Sequence, residues 1–83
     1  MENIKHPQVT DFAKAMDEVL CENDHKGGWW NCDIQYLQAR LVEETGEYFG
    51  LVSRGSAITH PSNRYRKELI DIANFAMMLW DRS

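Results

Sequence analysis

Apolar residues recur at helical spacing in three long segments of the chain. In the first segment, from about Pro7 to Glu22, these residues follow the i, i+3, i+4, i+7 pattern of an amphipathic helix: Val9, Phe12, Ala13, Met16, Val19 and Leu20. Pro7 suits the first turn, because the backbone N–H that proline lacks has no helical partner there. The stretch ENDHKGGWWN, with its Gly-Gly pair, then predicts the end of this helix and a loop.

The second segment begins near Asn31 to Asp33, either of which can cap a helix, and continues to about Ser53. Its apolar stripe consists of Ile34, Leu37, Leu41, Tyr48 and Leu51. The stripe has a gap of seven positions between Leu41 and Tyr48, and Glu44 fills this gap at the right helical phase. The pattern therefore predicts a helix that carries a carboxylate on its buried face.

The third segment follows the turn-forming stretch RGSAITHPSN and runs from about Ser62 to the C-terminus. One apolar stripe consists of Tyr65, Leu69, Ile72, Phe75, Ala76 and Leu79, and further apolar residues spread around the helix: Ile70, Ala73, Met77, Met78 and Trp80. A helix that is apolar nearly all round must be covered on both sides, and two helices of the same chain do not easily do this. We therefore expect an all-α fold with three main helices per chain, in which oligomerisation as a homodimer or homotetramer completes the helical bundle.

Length, charge and cysteine content narrow the class of protein. The 83 residues make a single domain, 1–83. A formal net charge of −4 argues against a nucleic-acid-binding protein, which usually has a basic face. No apolar run approaches the roughly 18 residues of a membrane span, and the N-terminal stretch MENIKHPQVTD lacks the apolar core of a signal peptide. Two cysteines are too few for a disulfide scaffold, which favours a cytoplasmic protein. From the charge and the lack of a long apolar run, we expect neither a nucleic-acid nor a membrane partner.

The acidic residues are the candidates for chemistry. Glu44 points with the apolar stripe of the second helix, and Glu47 lies at the edge of that stripe one turn later. In the third helix Glu68 is in phase with the apolar residues, and Asp71 follows one turn later. A single acidic pair of this kind is usually a solvated helix face, but two pairs in phase with the core indicate a shared acidic interior.

Buried carboxylates need a proton, a basic partner or a metal ion, because an unpaired buried charge is very costly. Arg40 and Lys67 can neutralise one or two of the four acids, and divalent cations would balance the rest. Ligation by carboxylates alone favours the hard ions Mg²⁺ or Mn²⁺. A di-iron bundle would instead carry Glu-x-x-His, and neither pair has a histidine at the i+3 position.

The stretch EETGE, followed after 20 residues by ELID, resembles the EExxE…ExxD motif of the MazG-like nucleotide pyrophosphohydrolases. These enzymes belong to the all-α NTP pyrophosphatase superfamily, together with the dimeric dUTPases. The stretches HKGGWW and DIANFAMML also look like parts of small MazG-like proteins of bacteria and phages, so the resemblance covers about residues 22–81. Many members of the family are longer and have an additional helix.

The resemblance implies hydrolysis of a (deoxy)nucleoside triphosphate to the monophosphate and pyrophosphate, in nucleotide-pool housekeeping or phage nucleotide metabolism. It implies Mg²⁺ as the cofactor, with Mn²⁺ as a substitute, and the family's metal ligands map onto Glu44, Glu47, Glu68 and Asp71. Glu43 matches the additional glutamate of the motif. Glu43 or Glu47 is expected to orient or deprotonate the attacking water.

Candidate substrate-binding residues lie mainly in the loop before the second helix. Lys26 offers a positive charge for the phosphates, His25 a second donor, and Trp29 a surface on which a base can stack. The other interpretations are a surface histidine and a tryptophan that packs at the start of a helix. Asn74, a polar residue within an apolar run, is expected either to contact the nucleotide or to bond across an oligomer interface.

Two alternatives remain open from the sequence. The chain can be a non-catalytic helical dimerisation or regulatory module, with Met77, Met78 and Trp80 as its partner-binding face. It can also be a related Mg²⁺-dependent phosphohydrolase whose substrate is not a nucleoside triphosphate. A dimerisation module would not need four carboxylates in phase with its core, whereas both kinds of enzyme would.

Overall fold

The structure, a computed structural model, describes residues 3–23, 27–54 and 63–83. These residues form three α-helices and no strands. The helices are α1 (Pro7–Glu22), α2 (Ile34–Ser53) and α3 (Asn63–Arg82). The all-α class and the three helices predicted from the periodicity are confirmed. None of these helices is long and apolar enough to cross a membrane.

The helix ends follow from local chemistry. Pro7 occupies the first turn of α1, as expected. At the other end of α1, the side chain of Asn23 donates a hydrogen bond of 3.0 Å to the carbonyl oxygen of Val19. Asp33 takes the N-cap position of α2 with extended backbone angles, but its side chain makes no capping hydrogen bond.

α2 and α3 form an antiparallel pair. The hydroxyl groups of Tyr48 and Tyr65 are 3.3 Å apart near the end of α2 and the start of α3. Before the start of α2, the carbonyl oxygen of Cys32 accepts a hydrogen bond of 2.7 Å from Arg82 at the end of α3. Leu37, in the first turns of α2, is 1% exposed and is the one fully buried apolar side chain within the described ranges.

α1 packs against α3 and not against α2. The side-chain amide of Asn74 in α3 donates a hydrogen bond of 3.3 Å to the carbonyl oxygen of Met16. No residue of α1 is buried, and Val9 and Phe12 of its predicted apolar stripe are exposed. The rest of the stripe is only partly buried, because a single neighbouring helix does not cover the whole face.

The apolar circumference predicted for α3 is mostly, but not completely, covered. Its buried residues are Glu68 and Asn74, both polar, and most of its apolar side chains are partly buried between α1 and α2. Trp80, near the end of α3, remains 76% exposed. The interior of this small fold is therefore unusually polar at its centre.

Candidate metal centre

Three carboxylates from two helices meet between α2 and α3. Glu44, Glu68 and Asp71 each offer an oxygen atom within 4.8 Å of the oxygens of the other two. Glu44 is 6% exposed and Glu68 is 9% exposed, while Asp71 is partly buried. Oxygen ligands of an octahedral Mg²⁺ lie about 3 Å apart when adjacent and about 4.2 Å apart when opposite, so small side-chain movements would bring these oxygens around one ion.

Two basic side chains partly balance these acids. Arg40 lies one turn before Glu44 and donates a hydrogen bond of 2.9 Å to it, and a second of 2.6 Å to Glu43. Lys67 lies 3.3 Å from a carboxylate oxygen of Asp71 and is largely exposed, so water screens this ion pair. The sequence-based expectation that Arg40 and Lys67 pair with some of the acids is consistent with these contacts.

Neither Arg40 nor Lys67 forms an ion pair with Glu68. Within the part of the chain that the structure describes, its Oε2 atom is buried and has no hydrogen-bond partner. A buried acceptor without a donor carries the full cost of losing its water, on the order of 1–3 kcal/mol and more when it is charged. A proton or a divalent cation among the three carboxylates would remove this cost.

Burial raises the pKa values of two of the acids. The pKa of Glu44 is raised to about 7, mainly by burial and additionally by the nearby carboxyl groups of Glu68 and Glu47. Burial is also the main cause that raises the pKa of Glu68. Without a cation, the pair formed by Glu44 and Glu68 therefore holds a proton near neutral pH, and a bound metal ion would take the place of that proton.

The structure brings together three of the four predicted metal ligands. Glu47 is exposed and is not part of the group of three, although it lies close enough to raise the pKa of Glu44. Glu43 is also exposed, and its ion pair with Arg40 holds it beside the cluster. Both predicted candidates for positioning water thus lie on the solvent side of the buried acids.

A cavity of about 620 Å³ lies where residues of all three helices meet the loop before α2, and its lining includes four aromatic side chains: Trp29, Trp30, Tyr36 and Phe75. The two tryptophan rings lie edge to face with their centroids 5.4 Å apart. The guanidinium carbon of Arg40 lies 5.1 Å from the centroid of the Phe75 ring, so Phe75 both lines the cavity and contacts the arginine that binds Glu44. His25 and Lys26, the predicted phosphate contacts, lie outside the described residues.

Asn74 has a structural partner. It is buried, and its amide nitrogen bonds to the backbone of α1. Its Oδ1 atom is buried and finds no hydrogen-bond partner among the described residues. The contact with α1 explains why a polar residue interrupts the apolar run, while contact with a nucleotide stays a prediction.

Sequence reasoning missed the contacts that hold the aromatic loop. Arg82 donates hydrogen bonds of 2.8 Å to the carbonyl oxygen of Trp29 and of 2.7 Å to that of Cys32. The indole N–H of Trp29 donates a hydrogen bond of 3.1 Å to Asp81. The charged pair Asp81 and Arg82, which follows an apolar run at the end of α3, was the available signal, but its partners are about 50 residues away and periodicity does not identify them.

Comparison of the chain with models of known families, with curated proteins and with solved structures finds no match. The functional conclusion therefore depends on the acidic motif and on the geometry of this site.

Proposed function

We propose that the chain is a divalent-metal-dependent nucleoside triphosphate pyrophosphohydrolase of the MazG-like type. The observation that carries the proposal is the group formed by the buried Glu44 and Glu68 and the partly buried Asp71, in which a Glu68 oxygen has no hydrogen-bond partner among the described residues. The donor set consists only of carboxylates, which suits Mg²⁺ or Mn²⁺ better than the softer metals. The two motifs EETGE and ELID, which supply these acids, are the residues that resemble the family.

The residues in and around the acidic cluster would have different roles in such a site. Glu44, Glu68 and Asp71 would hold the ion, and Glu47 at the exposed edge would add a ligand or orient the attacking water. When bound there, a divalent ion would supply positive charge to balance the phosphates and would make a nearby water more acidic. Arg40 presents a partly exposed guanidinium beside Glu44, and such a group binds phosphate oxygens through two parallel hydrogen bonds.

The aromatic cavity would receive the base of the nucleotide. Cavities of about 300–1,000 Å³ hold small molecules, and this one has two tryptophans on which a base can stack. Because Phe75 lines the cavity and also contacts Arg40, a nucleotide with its base in the cavity is proposed to extend its phosphates towards Arg40 and the carboxylates. Lys26 and His25 stay proposed phosphate contacts, and Asn74 a proposed contact of the nucleotide.

The proposed working form is cytoplasmic and at least dimeric, with a homodimer or a homotetramer as the candidates. Its partner is the nucleoside triphosphate rather than a nucleic acid. The exposed Val42 and Phe49 on α2 support self-association, because one chain leaves these bulky apolar side chains in contact with water.

The test is an assay of purified protein with a panel of standard and modified (deoxy)nucleoside triphosphates, in which pyrophosphate and orthophosphate are measured separately. We expect release of pyrophosphate with Mg²⁺ or Mn²⁺ and none with EDTA. Glu44→Gln should lower turnover by orders of magnitude, because it removes a metal ligand while keeping the shape of the side chain. Glu18→Gln is the matched control, since it makes the same change at an exposed position of α1.

The other outcomes identify the alternatives. Protein that binds Mg²⁺ but is inert with every triphosphate would favour a phosphohydrolase with another substrate, and diphosphates and phosphoribosyl compounds would be tested next. Protein that binds neither Mg²⁺ nor Mn²⁺ would favour the interaction module, and Glu44→Gln should then leave its binding to a partner unchanged.

A further inference from the structure

One side of α2 carries no charge. The four charged residues of this helix lie on the side that includes the buried Glu44, and the opposite side, here named the outer face of α2, consists of Gln35, Gln38, Ala39, Val42, Gly46 and Phe49. Val42 is 72% exposed and Phe49 is 71% exposed. Single exposed apolar residues are common, but two bulky ones separated by two helical turns on an uncharged face mark an interaction surface.

The dimensions of the chain also indicate missing contacts. Its accessible surface is 6469 Å², whereas a compact monomer of 9.7 kDa is expected to expose about 5,100 Å². Its radius of gyration is 13.9 Å, compared with about 12 Å for a compact domain of this length. The excess of about 1,300 Å² is larger than the about 800 Å² that each partner buries in a standard interface.

We propose that the outer face of α2 packs against the same face of α2 in a second copy of the chain. A two-fold symmetric interface brings each patch against itself, and an uncharged face does so without placing like charges together. The acidic cluster lies on the other side of the helix and would stay accessible. The inference takes up the self-association of the proposed function and is independent of its catalytic part.

A glycine on the outer face of α2 agrees with a close helix pair. A Cβ atom added at Gly46 would meet no atom within 4 Å, so the chain's own packing does not require glycine at this position. Glycine weakens a helix relative to alanine, and its usual benefit is the close approach of another backbone. A second α2 that crosses near Gly46 would supply that approach.

The experiment is light scattering and sedimentation of the full chain over a range of concentrations. We expect wild type to have twice the chain mass of 9.7 kDa. Phe49→Glu should weaken dimerisation at least 100-fold, and Val42→Glu should act in the same direction. Trp80→Glu is the matched control, because it places the same charge at an equally exposed aromatic residue on α3, and it should leave the dimer intact.

Gly46→Ala provides a second measurement that does not depend on adding a charge. Alanine favours the helix, so on a free surface it should raise the melting temperature without changing the mass. At a close helix crossing its methyl group should instead weaken dimerisation at least 10-fold. Helix content measured by circular dichroism shows whether each variant is folded, and Gly46→Ala decides the question if Phe49→Glu does not fold.

Three results would overturn the inference: a wild type that is monomeric at every concentration, equal dimer affinity of Gly46→Ala and wild type, or loss of the dimer in Trp80→Glu but not in Phe49→Glu. None of these results depends on turnover. A dimer without activity would contradict the catalytic proposal alone, and an active monomer would contradict only the interface.

Discussion

At the scale of single residues, Glu44 decides between a core that binds metal and a core that is merely acidic. Two unit charges roughly 6 Å apart repel by about 3 kcal/mol at an effective dielectric constant of 20. The protein relieves part of this repulsion by holding a proton, because burial, together with the neighbouring carboxyl groups, raises the pKa of Glu44 to about 7. The remaining repulsion destabilises the metal-free protein, and a bound cation would remove it.

Glu44→Gln should therefore stabilise the metal-free protein and abolish its response to metal. In EDTA we expect a gain of about 1 kcal/mol or more, which for a chain of this size raises the melting temperature by about 4–8 °C per kcal/mol. Mg²⁺ at about 100 times its dissociation constant should stabilise wild type by about 2.7 kcal/mol and the variant much less. The measurement is the melting temperature of both proteins with EDTA and with Mg²⁺.

Glu18→Gln is the control for this pair and should behave as wild type in both buffers. A Glu44→Gln protein that melts below wild type in EDTA, and that gains as much as wild type from Mg²⁺, would show that Glu44 is not a buried metal ligand.

The same raised pKa predicts how the stability of the metal-free protein depends on pH. Glu44 binds its proton more tightly in the folded state, with a pKa of about 7, than at its ordinary value of 4.5. Its favourable contribution is thus complete below about pH 4.5 and is lost as the pH rises through 7. In EDTA, the melting temperature of Glu44→Gln minus that of wild type should increase from pH 5 to pH 8, because glutamine does not titrate.

Mg²⁺ should reverse this dependence in wild type, since the ion competes with the proton for the same oxygens. The gain in melting temperature on adding Mg²⁺ is expected to be larger at pH 8 than at pH 6. A difference between variant and wild type that is the same at pH 5 and pH 8 would argue against the raised pKa.

At the scale of helices, the sequence was sufficient to predict α2, α3 and their shared acids. Periodicity placed Glu44 and Glu68 in phase with apolar stripes, and two long helices with facing stripes bring such residues together. The group of three follows from this phase, whereas Glu47, one turn later and at the edge of the stripe, is exposed. Helical phase predicts which side a residue faces but not how far the neighbouring helix extends over it.

The packing of α1 could not be predicted from the sequence for the same reason. Val9 and Phe12 have the correct spacing for a buried stripe, but only the neighbouring helices determine whether that stripe is covered. The hydrogen bond from Asn74 to Met16 joins residues 58 positions apart, and no local pattern identifies such a partner. Long-range polar contacts of this kind depend on the three-dimensional arrangement of the helices.

Asn74→Ala should loosen α1. Removing one buried hydrogen bond and its packing is expected to cost about 1–3 kcal/mol and to lower the melting temperature accordingly. Amide hydrogen exchange in α1 should become faster, because the hydrogen bond from Asn74 to the backbone of α1 is lost. Asn31→Ala, the same change at an exposed loop position, is the control.

Kinetics distinguish this role from nucleotide recognition. If Asn74 contacts the substrate, the variant should have a higher KM at temperatures well below its melting point. An unchanged exchange rate in α1 together with a raised KM would favour nucleotide contact over the structural role.

At the scale of the whole molecule, the apolar interior of one chain is too small to account for a stable fold. Leu37 is the one apolar side chain that is fully buried in residues 3–23, 27–54 and 63–83, and the other buried residues there are polar. Chains of this length bury only about 60% of their unfolded surface and are marginal alone. Association through the outer face of α2 would supply the apolar burial that one chain lacks, so folding and dimerisation should be coupled.

Coupled folding and dimerisation make the melting temperature depend on protein concentration, because dilution favours the separate unfolded chains. With an unfolding enthalpy of about 0.7 kcal/mol per residue, a dimer of this chain has an enthalpy of about 115 kcal/mol near 60 °C. That value corresponds to a rise of about 4 °C for each tenfold increase in concentration. Phe49→Glu should melt at a lower temperature that does not change with concentration, while Trp80→Glu should keep the slope of wild type. A wild-type melting temperature that is constant over a hundredfold range of concentration would show that the chain folds alone, and the exposed Val42 and Phe49 would then need another explanation.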